Sequence, residues 1–248
     1  MKVTCNDNFR GFKKGESFEI PIYRGVNYIV GPNGSGKSTI MHFIRAKRDS
    51  LKQETMDLFD GMTKTEDTLF RDSEIFTVEC LDDYENVFML DSIDDDPTSF
   101  INAATAYGLV NGGGFECQKK SKGQKAQFML LNFIRLITNK FGATMQDLAG
   151  QELKEKKKCL FILDEIDEGL DLKRQANFHK ILYNICVLFN ADVLCICHNS
   201  FCILCDNETS QVFDMSDKEE KTIETYIKEQ TGLTIKIEKN DQDDNRQS

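Results

Sequence analysis

The sequence lacks the features expected of a membrane-spanning or secreted protein. Its richest apolar stretches, Cys159–Leu163 and Ile185–Phe189, are only five residues long, whereas a membrane-spanning helix needs about 20. The opening stretch MKVTCNDN is too polar for a secretory signal. Nine cysteines without such a signal indicate free thiols in a reducing compartment. We therefore expect a cytoplasmic protein with no membrane partner.

Basic residues are outnumbered by acidic ones, 31 to 41, which gives a net charge of −10. This balance argues against a protein whose whole surface binds nucleic acid. A local basic patch remains one interpretation of the lysines, and solvated helix faces and loop ends are the other. The lysines concerned are Lys119, Lys120, Lys122, Lys125 and those of Lys154–Lys158. At 248 residues the chain is expected to form one core, with or without a small lobe. It has no internal repeat, and the segment between Lys37 and Ser121 shows no heptads, which excludes a long coiled coil there.

The most informative stretch is GPNGSGKS at residues 31–38, which fits the phosphate-loop pattern G-x-x-x-x-G-K-[ST]. It follows the strand candidate Val26–Val30 and precedes the helix candidate Thr39–Ala46. Glycines let the backbone curl so that several N–H groups face one anion, and the helix N-terminus adds partial positive charge. The pattern therefore predicts a site for a nucleoside triphosphate.

Within this loop, Lys37 is expected to reach the β- and γ-phosphates, and the Ser38 hydroxyl to hold Mg²⁺. ATP and Mg²⁺ are thus the predicted cofactors. The predicted nucleotide-binding residues of the loop are Asn33, Gly34, Ser35, Gly36, Lys37, Ser38 and Thr39.

Strand and helix patterns alternate along the chain, which is typical of an α/β domain with a mainly parallel central sheet flanked by helices. We also predict an N-terminal antiparallel β element and a small helical lobe at about 92–158, within one domain at 1–238. Residues 239–248 are predicted to form a disordered acidic tail. Predicted strands are Phe18–Ile22, Val26–Val30, Ile75–Cys80, Val87–Asp91, Cys159–Leu163, Val193–Cys197 and Gln211–Met215; predicted helices are Thr39–Ala46, Ser99–Tyr107, Leu172–Phe189 and Asp217 to about Gln230.

Two acids, Asp164 and Glu165, follow the wholly apolar strand candidate Cys159–Leu163. In α/β sheets, ligands bind at the carboxyl ends of the strands. Asp164 is therefore expected to hold the Mg²⁺ shell opposite Ser38, and Glu165 to act as the general base that activates water. The alternative interpretation is an acidic loop at a strand end, which is common in α/β proteins.

Four further motifs resemble those of ABC-type ATPases of the SMC, RecF and OLD-like branch, and together they cover most of residues 3–215. The run from Asp164 to Asp171 resembles Walker B and the D-loop. Ser121–Gln124 (SKGQ) resembles the signature motif, and Cys197–Ser200 (CHNS) resembles the segment with the switch histidine. Asn8–Lys13 (NFRGFK) resembles the start of that branch.

The resemblance implies a head-to-tail homodimer around two MgATP, in which Ser121, Gly123 and Gln124 complete the partner's site and His198 senses the γ-phosphate. It also implies an ATP-hydrolysing switch for an effector protein, in DNA repair or anti-phage defence, with nucleic acid as a further candidate partner. The alternatives are the nucleotide-binding subunit of an ABC transporter and an ATP-gated scaffold with little hydrolysis.

The chain departs from the family pattern in having no glutamine between Ile75 and Cys117, where transporter ATPases carry their Q-loop. Asp91 is the predicted substitute, as a metal or water contact. Residues 139–158 are predicted to be an insertion, because the signature lies far from Asp164. The missing glutamine counts against the transporter alternative, since the Q-loop couples to membrane domains.

A rival interpretation concerns the cysteine-rich segment that contains His198. It could ligate Zn²⁺, because thiolates and imidazoles are the usual zinc ligands. Its strand context favours cysteines that act as small apolar residues instead. The set consists of Cys195, Cys197, His198, Cys202 and Cys205.

Overall fold

The computed structural model describes residues 1–48, 70, 73–91, 124, 130, 131, 134, 137, 158–166, 170, 172–197, 203, 204 and 211–236. The strands are β1 (Lys2–Cys5), β2 (Ser17–Glu19), β3 (Val26–Val30), β4 (Phe76–Val78), β5 (Asn86–Asp91), β6 (Cys159–Asp164), β7 (Ala191–Ile196), β8 (Gln211–Asp214) and β9 (Glu219–Thr222). The helices are α1 (Lys37–Arg48), α2 (Leu172–Phe189) and α3 (Ile223–Thr231), with a short 3-10 turn at Leu81–Asp83.

Six strands form the central sheet in the order β5-β6-β7-β3-β8-β9. The first five are parallel, and β9 pairs antiparallel with β8. The register places Asp91 beside Asp164 and Asp164 beside Ile196, while Val30 pairs with Asp214. The carboxyl ends of the parallel strands therefore meet at one edge, directly in front of the loop that leaves β3. The predicted α/β class with a mainly parallel sheet is confirmed.

Both faces of this sheet are covered, which explains why β6 and β7 are apolar throughout. On one face, side chains such as Phe161 and Val193 pack with residues of α2 and α3. On the other face, Ile162 and Leu194 pack with α1 and with the N-terminal strands. The residues at the carboxyl edge of the sheet therefore extend from a core that is packed on both sides.

The predicted N-terminal antiparallel element is also confirmed, as a three-stranded sheet in the order β2-β1-β4. An aromatic cluster fixes it to the central sheet: the Phe76 ring lies 5.2 Å from that of Phe12 and 5.4 Å from that of Phe43 on α1. Edge-to-face pairs of this kind contribute roughly 0.5–1.5 kcal/mol each beyond the area they bury.

The helix predicted from Asp217 is wrong at its start, because Glu219–Thr222 forms the edge strand β9. The charged sequence EEKT has no strand preference of its own, and pairing with β8 decides its conformation. Helix α3 begins only after Thr222, whose side chain accepts a hydrogen bond from the Thr225 N–H, and it ends at Gly232 with φ 72°. Strand β1 was not predicted, and β2 stops at Glu19, short of the predicted Ile22.

Leu130 and Ile137 are helical and buried, whereas Leu131 is helical and 58% exposed. Most of the predicted lobe at 92–158, including the helix at 99–107 and the insertion at 139–158, lies outside the described residues, as does the tail at 239–248. Within the parts of the chain that the structure describes, no helix is both long enough and apolar enough to cross a membrane.

Candidate nucleotide-binding site

The glycine-rich loop runs between β3 and α1 with three glycines at positive φ: Gly31 at 131°, Gly34 at 84° and Gly36 at 96°. Two of them also need their lack of a side chain for space. A Cβ on Gly36 would lie 2.4 Å from the Phe12 ring, and one on Gly31 would lie 3.2 Å from an Asp214 oxygen. Helix α1 begins at Lys37, two residues earlier than predicted. Lys37 and Ser38 therefore open the helix, at the end that attracts anions.

Lys37 is buried, and its ammonium donates to the carbonyl oxygens of Gly31 at 2.7 Å and Pro32 at 3.1 Å. Burial lowers the pKa of Lys37, while the nearby charges of Asp164, Glu165 and Asp214 oppose that shift. A buried cation whose described hydrogen bonds go to two neutral carbonyls gains a stronger, charge-assisted partner when a phosphate enters the loop. Lys37 is therefore positioned to bind an anion that enters the loop.

Asp164 ends β6 and lies opposite Ser38, whose hydroxyl is hydrogen-bonded to its carboxylate. Asp164 is 2% exposed, and its Oδ1 atom has no hydrogen-bond partner within the described structure. Burial, followed by the charge of Asp91, raises the pKa of Asp164 to about 7. A buried carboxylate oxygen without a partner, next to a hydroxyl, is the donor set that a hard divalent cation prefers. These residues fit the predicted Mg²⁺.

Asp91 lies where the sequence predicted a substitute for the Q-loop glutamine, at the end of β5 beside Asp164. It is buried, and its Oδ2 atom is 3.1 Å from Nε2 of His42. His42 was not predicted. It lies four residues after Ser38 on α1, and this spacing puts both side chains on one helical face. That spacing was the available signal.

Glu165, the predicted base, is held in the left-handed region with φ 55°. Its N–H donates to the carbonyl of Ile196 at 3.2 Å, so the chain turns sharply as soon as β6 ends. Left-handed backbone costs a non-glycine residue roughly 1–2 kcal/mol. Such strain concentrates at functional sites, where it fixes the direction of one side chain.

Asp214 and Tyr226 support the loop from the side of β8, and neither was predicted. Asp214 is fully buried and accepts from the N–H and hydroxyl of Ser216 at 2.9 and 2.6 Å and from Lys221 at 3.0 Å. Tyr226 on α3 is hydrogen-bonded to the backbone of Gly31. An acid at the end of a buried strand, as at Asp164, was the signal for Asp214.

Of the other predicted nucleotide-binding residues, Asn33 and Gly34 are exposed in the loop and Ser35 is half-buried there, while Thr39 is buried in the first turn of α1. Gln124 is helical and exposed, whereas Ser121, Gly123 and His198 lie outside the described residues. Of the cysteine-rich set, Cys195 and Cys197 are buried with their sulfur atoms 3.4 Å apart. The remaining members, His198, Cys202 and Cys205, lie outside the described residues, so the zinc interpretation stays an untested alternative.

A family model described as "AAA domain" matches residues 7–248 of the chain. The chain belongs to the AAA domain family. The predicted class, a P-loop ATPase, is therefore confirmed, and the SMC, RecF and OLD-like branch stays a prediction. No protein with a curated description matches this chain.

Two solved structures resemble this AAA domain protein. A metal-chelate type ABC transporter in an inward-facing conformation is 15% identical, with a TM-score of 0.47 over 89% of this chain and 81% of that chain. The ATP-binding cassette MJ0796, in a dimeric post-hydrolysis state bound to ADP and Pi, is 13% identical, with a TM-score of 0.39 over 89% of this chain and 98% of that chain.

Proposed function

We propose that this protein is an ABC-type ATPase that closes head-to-tail around two MgATP and acts as a hydrolysis-driven switch for a protein partner. The observation that carries the proposal is the pairing of Ser38 with Asp164. Two elements far apart in sequence bring a helix-start hydroxyl and a buried carboxylate together, next to Lys37. This is the arrangement that an ATP-bound Mg²⁺ requires.

Each residue of this site then has one role in the proposed reaction. The loop amides and Lys37 bind the β- and γ-phosphates, and Ser38 with Asp164 holds Mg²⁺ and its waters. When bound, the ion neutralises charge on the phosphate oxygens. Glu165 takes a proton from the attacking water, whose oxygen bonds to the γ-phosphorus as the bond to the bridging oxygen breaks. The products are ADP and phosphate.

The dimer is proposed from the exposed position of Gln124, the last residue of the SKGQ motif. Gln124 therefore lies on the surface, where the resemblance of SKGQ to the signature motif calls for contact with a second copy. Ser121 and Gly123, adjacent in sequence, would contact the γ-phosphate of the partner's nucleotide, and His198 would sense it from its own side. Release of phosphate would then separate the two copies and transmit the signal to the effector protein.

The proposal is tested with Glu165→Gln and, as a matched control, Glu79→Gln at the exposed position that follows β4. Light scattering with MgATP should show a stable dimer for Glu165→Gln, and phosphate release should fall about 10²–10⁴-fold because the general base is lost. The control should behave as wild type. Monomers under every condition would refute the ATP-bound dimer. Absence of phosphate release from wild type would favour the ATP-gated scaffold, and co-purification with a membrane protein would favour the transporter subunit.

A further inference from the structure

His42 lies with two carboxylates in a buried group at the edge of the sheet, yet the ATPase chemistry described above gives it no role. The nitrogen of His42 and one carboxylate oxygen each from Asp91 and Asp164 all lie within 4.8 Å of one another. The three residues are 8%, 2% and 2% exposed, respectively. They come from α1, β5 and β6, so three separate elements converge on one point.

We propose that His42, Asp91 and Asp164 directly ligate a first-row divalent transition cation, which this site takes in preference to Mg²⁺ and binds even without nucleotide. The inference rests on the proposed function, because it names the cation of the same site. It makes His42 a metal ligand, and it makes Asp91 a direct ligand of the same ion rather than only a substitute for the Q-loop glutamine.

The separation of His42 and Asp91 fits shared coordination of one ion. Nε2 of His42 and Oδ2 of Asp91 are 3.1 Å apart. Two adjacent ligands of an octahedral ion, each about 2.1 Å from it, are separated by about 3 Å. The present separation therefore suits an ion that bonds to both atoms, with little movement of either side chain.

The Oδ1 atom of Asp164 provides an independent observation. It is buried and has no hydrogen-bond partner among the described residues. Leaving a buried carboxylate oxygen without a partner costs free energy, and here a second buried carboxylate lies beside it in the register. A divalent cation between the two would neutralise both charges and fill the vacant coordination of Oδ1.

The ligand set selects the kind of ion. Mg²⁺ prefers oxygen ligands and gives up its waters reluctantly. Imidazole suits transition cations, and carboxylates also accept Mn²⁺. One nitrogen with two carboxylate oxygens therefore favours a first-row transition cation over Mg²⁺, and Mn²⁺ is the convenient probe because it is paramagnetic.

The test is Mn²⁺ binding to the metal-stripped, nucleotide-free full chain, followed by electron paramagnetic resonance. Wild type should bind one Mn²⁺ per chain, with a nitrogen coupling, and at least about tenfold more tightly than Mg²⁺ in competition. His42→Asn should lose the nitrogen coupling and weaken Mn²⁺ binding by at least about tenfold, since even the loss of an outer-shell partner costs that much. The control His179→Asn alters another histidine, one that bonds Tyr28 at 2.6 Å, and should keep both properties.

If His42→Asn fails to fold, wild type labelled with ¹⁵N-histidine tests for a histidine ligand without a substitution. The coupling pattern should change from that of ¹⁴N to that of ¹⁵N. Absence of Mn²⁺ binding without nucleotide, absence of histidine coupling, or an unchanged coupling in folded His42→Asn would overturn the inference.

Phosphate release with Mg²⁺ separates this inference from the proposed function. If wild type hydrolyses ATP but binds no Mn²⁺ in the absence of nucleotide, the metal site alone would be overturned. Mn²⁺ binding with nitrogen coupling, but no hydrolysis with either cation, would support the metal site and overturn the proposed function.

Discussion

The ring of Phe12 lies directly against Gly36, so close that a Cβ at residue 36 would be 2.4 Å from Cζ and 2.7 Å from Cε2 of the ring. Phe12 belongs to the segment between β1 and β2 and is 4% exposed. The N-terminal antiparallel sheet is thereby in contact with the phosphate loop, and the shape of one depends on the other.

Gly36→Ala should destabilise the protein more than Gly34→Ala does. Both positions have positive φ, which costs alanine roughly 1–2 kcal/mol. Only position 36 also has the Phe12 ring in the way, and overpacking adds about 1–3 kcal/mol. Urea unfolding of both variants measures the difference, and equal losses would contradict a steric role for Phe12. ATP binding should also be weaker in Gly36→Ala, because the loop has to move.

The free energy of unfolding of the metal-free protein should fall as the pH rises from about 5 to 8, through Asp164. The pKa of this carboxyl is 3.8 ordinarily and about 7 in the fold. Between those values the native state binds more protons than the unfolded state, so stability decreases with pH. Asp164→Asn cannot ionise and should remove about 1–3 kcal/mol of this decrease, since one pKa unit corresponds to about 1.4 kcal/mol.

Urea unfolding at pH 5, 6, 7 and 8 checks this prediction. Millimolar Mg²⁺ should flatten the wild-type profile and leave that of Asp164→Asn unchanged, because the ion replaces the bound proton. Parallel profiles for the two proteins without metal would show that Asp164 titrates in its ordinary range.

Glu165→Asn should be more stable than Glu165→Gln by about 0.5–1 kcal/mol, although both lack the base. The two amides differ little in polarity, but asparagine tolerates the left-handed backbone that residue 165 adopts at φ 55°. Thermal unfolding and phosphate release should therefore show two inactive proteins of unequal stability. Equal stability would mean that the backbone at residue 165 relaxes once the glutamate is gone.

Asp214→Asn should destabilise the protein by about 2–3 kcal/mol, since it leaves the Lys221 ammonium without its most buried partner. Burial raises the pKa of Asp214, but the bonds from Ser216 and Lys221 outweigh it and leave the pKa lowered. Asp217→Asn is the matched control, because Asp217 also pairs with Lys221 but is 41% exposed. It should change stability by less than about 1 kcal/mol.

Urea unfolding of these two variants at pH 7 makes the comparison. The contribution of Asp214 should be lost as the pH falls below its ordinary range, because a lowered pKa stabilises only the ionised form. If Asp217→Asn were as unstable as Asp214→Asn, the whole set of carboxylates around Lys221 would set the stability, rather than the support that Asp214 gives to the loop at Gly31.

The sequence was sufficient to predict the central strands and the phosphate loop, because both depend on local rules. Cys159–Leu163 is wholly apolar, as a strand covered on both faces must be, and GPNGSGKS leaves few conformations other than an anion-binding turn. The order of the strands and the pairing of Asp91 with Asp164 are long-range properties. Nothing in the local pattern of either strand specifies its neighbour.

The errors have the same origin. Glu219–Thr222 is too polar to indicate a strand, and only β8 beside it makes it one. His42 looked like an ordinary helical residue, because its carboxylate partners come from strands that lie far away in the chain.

The position of β3 also has a consequence for synthesis of the protein. It pairs with β7 and β8, whose residues follow it by more than 160 positions. On the ribosome, the phosphate loop will have emerged long before either flanking strand exists, so the nascent chain has to complete nearly the whole domain before nucleotide can stabilise it. Nucleotide can therefore assist folding only after β7 and β8 have left the ribosome.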